Sequence, residues 1–244
     1  MTAFSYSGTE LGALAGARNY YRWILDAFAP HLGGRVVEVG AGVGTFSRLI
    51  LDEASPSRLV LVEPAANLAP LLRSRFADDP RVDVVHGYLE DVPPSTRANT
   101  IVLVNVLEHV EHDQSLLQTA SRLLAAHGTL LVFVPAGPWL LGTLDAEFGH
   151  HRRYTRGTLT RALRATGFRI HRLRYFNLPG VLGWFIAGRL LRRRTLDPQD
   201  VARYDRWIVP WLARLEAIYR PPFGQSLVAV AGRMDVDSGR SWGR

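Results

Sequence analysis

The chain has 244 residues, 47% hydrophobic and 21% charged, enough for one α/β domain with a buried core and incompatible with global disorder. It contains no cysteine, which excludes a disulfide framework and a thiolate zinc site. The formal charge is +7, and twelve arginines lie between Arg152 and Arg194 with no Asp or Glu among them. Such a field attracts nucleic acid, anionic lipid or an acidic small molecule, unless it is simply a solvated face. The sequence opens without a basic, then apolar, leader pattern, and no run of about 18 uncharged apolar residues occurs. The expectation is a cytoplasmic protein, with a peripheral membrane contact admitted by the arginines.

In chain order, residues 9–30 read as one helix: Leu14, Tyr21, Ile24, Leu25 and Phe28 recur near helical spacing, and Pro30 ends it. Gly33-Gly34 turns into a short β-branched run at Arg35–Val39, suited to a buried parallel strand. A helix follows from about Gly44 to Ala54. Further strands are expected at Arg58–Val62, Val82–His86, Thr100–Asn105 and Thr129–Val134, with helices at Asn67–Phe76 and Gln114–Ala126. This alternation calls for a Rossmann-like, mostly parallel sheet with helices on both faces. A helix at Thr158–Thr166, a strand at Phe168–Tyr175 and a last strand at Ser226–Arg233 make seven strands in a single domain. Residues 1–30 would cap that domain, and residues 177–224 form a helical, lid-like insertion before the last strand. Within the insertion, Val201–Tyr219 is amphipathic and broken at Pro210. The polar tail beyond Met234 is expected to fray.

The first strand runs directly into glycines in Val36-Val37-Glu38-Val39-Gly40-Ala41-Gly42-Val43-Gly44. Glycine lets the backbone turn sharply and approach a ligand without a Cβ in the way. Nucleotide and phosphate loops share that property, so the neighbouring residues decide. Glu38 would repel a pyrophosphate but accept hydrogen bonds from an ammonium group. Glu63, ending the second strand before Pro64, can accept both ribose hydroxyls of an adenosine. Glu63 therefore points to adenosine, and Glu38 to an adenosine that carries an amino acid.

With these features the sequence resembles the class I S-adenosylmethionine-dependent methyltransferases, over roughly residues 15–175 and the last strand. Glu38 to Gly44 resembles that family's first motif and Leu61-Val62-Glu63-Pro64 its second. Gly87-Tyr88-Leu89-Glu90-Asp91 resembles the segment flanking the adenine, and Asn105-Val106-Leu107-Glu108-His109-Val110 the fourth-strand motif facing the methionine portion. The resemblance implies a cofactor set of Glu38, Gly40, Ala41, Gly42, Gly44, Glu63, Pro64, Tyr88, Leu89, Glu90, Asn105, Val106 and His109. Tyr21 joins it from the capping helix. S-adenosylmethionine would be the donor and S-adenosylhomocysteine the product.

Methyl transfer from a sulfonium is an in-line displacement, in which the protein aligns donor and acceptor and removes a proton where needed. Asp145-Ala146-Glu147-Phe148-Gly149-His150-His151-Arg152-Arg153-Tyr154 resembles a D-x-x-x-G-H-x-R-R-Y segment found in a subset of the family. It follows the fifth strand, at the carboxyl edge where acceptors bind. His150 is the expected base or orienting residue, Arg153 a holder for an anionic acceptor, and Tyr154 a side chain packing over it. The competing reading is a buried brace of Asp145, His150 and Arg153. Glu111, His112 and Asp113 offer either a metal cluster or a polar helix start capped by Asp113; the helix start is the reading taken, so no metal is expected.

The expected acceptor is a small or lipid-like molecule, methylated on oxygen or nitrogen. A nucleic-acid methyltransferase is the alternative, but the N-P-P-[YFW] pattern that grips a flipped base is absent: Asn105 precedes Val106-Leu107. A non-catalytic binding protein for the same donor is the other alternative. The sequence leaves the oligomeric state open.

Overall fold

The computed structural model describes residues 4–6, 8, 10–14 and 16–234, with only the backbone of residues 10 and 11; the tail beyond Met234 lies outside it. Seven strands run β1 (Arg35–Val39), β2 (Arg58–Glu63), β3 (Val82–His86), β4 (Ala98–Val104), β5 (Leu124–Pro135), β6 (Phe168–Phe176) and β7 (Ser226–Arg233). They form one sheet in the order β3-β2-β1-β4-β5-β7-β6. The first five are parallel, and β7 runs antiparallel to both its neighbours. The expected Rossmann-like sheet is present, and its central strands are near-continuous apolar runs because both faces are covered.

The helices are α1 (Glu10–Leu14), α2 (Arg18–Phe28), α3 (Thr45–Leu49), α4 (Ala69–Arg75), α5 (Asp113–Leu123), α6 (Thr143–Glu147), α7 (Arg156–Ala165), α8 (Gly180–Trp184), α9 (Pro198–Trp207) and α10 (Val209–Ile218). One core side joins Leu103, Leu117, Val132 and Leu163; the other joins Ile24, Phe28, Phe46, Leu131 and Phe176.

Two boundaries differ from expectation for tertiary reasons. The helix read over residues 9–30 is two helices. The first turn of α2 is satisfied from far away: Asp205 accepts N–H bonds from Asn19 (3.2 Å) and Tyr20 (2.8 Å). The helix read over Gln114–Ala126 stops at Leu123, because Leu124 is fully buried and pairs with Ala98 as the start of β5. Burying a leucine in the sheet outweighs the helix propensity of Ala125 and Ala126. Asp113 does not cap α5; it is the first helical residue, and its carboxylate accepts the Tyr154 hydroxyl at 2.7 Å.

The 177–224 excursion is firmly seated. Glu216 on α10 accepts the N–H groups of Asn177 (3.1 Å) and Leu178 (2.9 Å) just after β6. The Asn177 side chain meets Gln225, the Tyr204 hydroxyl and the Gly180 N–H. Through Asp205 and Glu216 the excursion is tied both to α2 and to β6.

Candidate active site

The winding direction of the chain reverses between β1 and β4, and at their carboxyl ends a cavity of about 500 Å³ opens. Its walls come from three places. The end of β1 supplies Glu38, and the loops after β1 and β4 supply Gly40, Ala41, Gly42, Asn105 and His109. The segment after β5 supplies Leu144, Phe148, His150 and Arg153, while α2 and the 177–224 excursion supply Tyr20, Tyr21, Trp184 and Tyr204.

On the first wall the backbone carries the geometry. Gly40 sits at φ +70°, and a Cβ there would come within 2.8 Å of Val106 Cγ2, so the loops after β1 and β4 meet only because residue 40 lacks a side chain. Val106 thus acts on the cavity from behind. Gly44 (φ +78°) is turned away from the cavity, packed toward Phe76 and Leu72. Glu38 is 3% exposed; its Oε2 has no hydrogen-bond partner, and burial pushes its carboxyl up to about 8. A buried, unpartnered carboxylate oxygen on a ligand-sized cavity fits an ammonium group.

Glu63 stands at the end of β2, off the cavity wall. Its Oε2 accepts the Gly42 N–H at 2.8 Å and its Oε1 the Ala65 N–H at 2.9 Å, so it braces the glycine loop and does not line the cavity. Pro64, Tyr88, Leu89 and Glu90 also lie off the wall. Leu89 is core, Tyr88 is exposed, and Glu90 accepts the Thr119 hydroxyl at 3.1 Å.

Around the second wall, side chains dominate. Asp145 is fully buried and accepts from His150 Nδ1 (2.8 Å), Arg153 Nε (2.7 Å), Trp184 Nε1 (3.1 Å) and the Gly142 N–H (3.0 Å). Burial raises its carboxyl, but the His150 bond and the Arg153 charge outweigh that and hold it below the usual range. With Nδ1 donating to Asp145, His150 keeps Nε2 as its free nitrogen. His109 stands against it, with ring centroids 4.8 Å apart, and burial and the neighbouring imidazole lower His109 to about 4. Glu108, beside His109, is fully buried with both oxygens unpartnered, and burial pushes it up to about 8.

Two expected roles are corrected here. Arg153 lines the cavity, but its Nε and Nη1 are held by Asp145 and the Ala136 carbonyl and its face lies 4.7 Å from the Trp184 ring, so it is a brace rather than a holder of an anionic acceptor. Tyr154 is buried off the cavity, donating to Asp113 (2.7 Å) and the Leu107 carbonyl (3.3 Å). It ties the segment after β5 to the loop after β4. His150, Gly40, Ala41, Gly42, Asn105, His109 and Tyr21 are brought together on the cavity, as the sequence predicts.

Motif and spacing give Glu108 no role of its own, place Tyr20 only in a capping helix and Trp184 only on the apolar surface of the insertion, and do not foresee the Trp184–Asp145 bond or the Asn177–Glu216 and Asp205 links. Glu108 was within reach, since it precedes His109 in a motif already singled out. The others carry no local signal. The basic run is also divided: Arg153 is buried, Arg152 pairs with Asp113 at 3.3 Å, Arg193 with Asp200 at 3.2 Å, and Arg194 with Glu147 at 3.4 Å.

Comparison with known proteins agrees with this geometry. The profile described as Methyltransferase domain matches residues 14–173, and the chain belongs to that family. It is 34% identical over 91 residues to the ornithine lipid N-methyltransferase of Singulisphaera acidiphila, covering 36% of this chain and 47% of that protein. It is 40% identical over 58 residues to ribosomal RNA small subunit methyltransferase A of Geobacter metallireducens, covering 24% of this chain and 20% of that protein. The chain therefore spans about a fifth to a half of the curated relatives it matches. The solved S-adenosylmethionine-dependent methyltransferase of Mesorhizobium loti shares the fold, with TM-score 0.60 and 18% identity over 90% of this chain and 100% of that one. The methyl donor implied by family and fold is S-adenosylmethionine, and Glu38 with the Gly40–Gly42 turn fits its amino-acid end.

Proposed function

We propose that this chain methylates an oxygen or nitrogen of a lipid-like acceptor presented at a membrane surface. S-adenosylmethionine supplies an electrophilic methyl group on sulfonium sulfur. Glu38 and the Gly40–Gly42 backbone hold the donor's amino-acid end, and Tyr21, Tyr20 and Trp184 close the cavity against water. His150 faces the acceptor: Asp145 fixes its Nδ1, leaving Nε2 to take the proton that the acceptor sheds. Bound there, the donor would supply its methyl group to the acceptor's lone pair, with the sulfonium sulfur as leaving group.

The observation that carries the acceptor class is the rim. Ile186 and Leu191 both line the cavity and are 38% and 55% exposed. Beside them in the chain stand the exposed Leu182, Phe185 and Leu190, with Trp139 against Phe185, together with Arg189 and Arg192 and the acid-paired Arg193 and Arg194. An apolar lip flanked by arginines suits an acyl chain leaving the cavity and an anionic headgroup layer outside it. No helix among the described residues is long and apolar enough to cross a membrane, so contact would be peripheral. The similarity to an ornithine lipid N-methyltransferase points the same way.

The test is competition among acceptors. The purified chain, with labelled donor, is offered aminolipids in anionic vesicles, their soluble headgroup analogues, and RNA. The expected result is label in the lipid fraction, at least tenfold above the headgroup analogue. Preference for RNA or for the soluble analogue overturns the reading.

A further inference from the structure

The groups gathered at the acceptor end of the cavity include more than a histidine needs to receive a proton. We propose that Glu108, His109 and His150 form a binding site for one divalent first-row cation of the Zn²⁺, Mn²⁺ or Co²⁺ type, held where it meets an oxygen of the acceptor. The inference rests on the same cavity as the proposed function and specifies what activates the acceptor there.

Three observations support it. One donor atom from each of the three residues lies within 4.8 Å of the others. First-row cations hold imidazole nitrogen and carboxylate oxygen at about 2.0–2.2 Å, so small side-chain adjustments close the three around one ion. Glu108 is the second observation: it is fully buried and both its oxygens lack a partner. Native proteins rarely leave such a group unsatisfied, and the buried guanidinium nearest in sequence to this cluster, Arg153, is already held by Asp145 at 2.7 Å. The Arg153 charge reaches Glu108 only through space, so the two Glu108 oxygens remain without a hydrogen-bond donor and open to a cation.

The third observation is the support behind the ligands. Metal-bound histidines characteristically donate their second ring nitrogen to a carboxylate or a backbone carbonyl, which fixes tautomer and ring orientation. Both histidines have such a partner: Asp145 for His150 at 2.8 Å, and the Gly149 backbone for His109. Two imidazoles and one carboxylate leave coordination positions open, the pattern of catalytic rather than structural sites. His109 and His150 line the cavity, and Glu108 is fully buried off its wall. With the cation bound, His150 Nε2 would be a ligand in place of its role as base, and an acceptor oxygen held by the cation would lose its proton to solvent more readily.

The test is metal binding by the whole chain, independent of turnover. Protein stripped with chelator is titrated with Zn²⁺, Mn²⁺ and Co²⁺ by calorimetry, and Co²⁺ is also followed by its visible absorption. One equivalent should bind, and Glu108→Gln and His150→Ala should each weaken it at least 100-fold, while His112→Ala leaves it within threefold. Thermal unfolding of the metal-free variants separates loss of the site from loss of the fold, and the isosteric Glu108→Gln is the decisive variant should His150→Ala not fold. No stoichiometric binding, or binding that survives Glu108→Gln, overturns the site. A chain that methylates lipid without binding any cation rejects this inference alone. A chain that binds the cation through these residues but methylates no lipid upholds the site and rejects the proposed function.

Discussion

The two ends of the cavity are built in different ways. At the donor end the working parts are backbone: a glycine turn at residues 40–42, a carboxylate two residues before it, and a second carboxylate that accepts the Gly42 N–H of the turn and the Ala65 N–H beyond β2. At the acceptor end they are side chains drawn from separate segments and converging on Asp145. A backbone cradle fixes one ligand and tolerates little change. A side-chain network holds its shape only while every partner is present, and it can be re-specified by exchanging one segment.

The largest effect that would test this contrast is Asp145→Ala. It removes the acceptor of four donors and strands the buried Arg153 charge, a loss of about 3–5 kcal/mol in stability by chemical denaturation. A loss below 1 kcal/mol would mean that the acceptor end does not depend on its hub.

Glu38→Gln comes next. Replacing a charge-assisted bond to an ammonium group should weaken S-adenosylmethionine binding about 10–100-fold, with no loss of stability in the donor-free chain. The pH dependence sharpens the point. Burial raises Glu38 from 4.5 to about 8, so its contribution to donor-free stability is present at low pH and is lost as pH rises toward 8. The ammonium group favours the ionised carboxylate, so binding should release a proton, and affinity should rise between about pH 6 and 8. Calorimetry in buffers of different ionisation heat reads that proton directly. A pH-independent affinity, with no proton released, would show that Glu38 does not meet the amino group.

The smallest effect belongs to the outer surface. Trp207 and Trp211 are 65% and 70% exposed. Changing both to Ser should leave unfolding within about 0.5 kcal/mol for each and reduce co-sedimentation with anionic vesicles several-fold. Unchanged sedimentation would confine the membrane contact to the rim around Phe185 and Leu190.

The contrast also explains what could be read from the sequence. The sheet and the glycine turn follow from local pattern: β1, β3 and β7 occupy the residues that apolar runs and flanking turns predict. Glu38 and Gly40 lie within three residues of each other, so spacing alone exposes them. His150 was visible because its neighbours form one contiguous segment. Trp184 reaches Asp145 across 39 residues and Asp205 reaches Tyr20 across 185. Such contacts have no local periodicity, and the break between α1 and α2 stays hidden for the same reason. Tyr154 and Arg153 misled because a polar residue beside a catalytic candidate looks the same in sequence whether it meets a substrate or holds a loop.

The paired residues Phe176 and Ser226, and the bond from the Gln225 N–H to the Asn177 carbonyl at 3.1 Å, bring the two stems of the 177–224 excursion together on neighbouring strands. A segment whose entry and exit already touch can be shortened, lengthened or exchanged at little closure cost, since the sheet register on either side is set without it. The fold thus carries a modular excursion whose length can vary without moving β6 or β7, so long as the Asp205 bonds to α2 are kept.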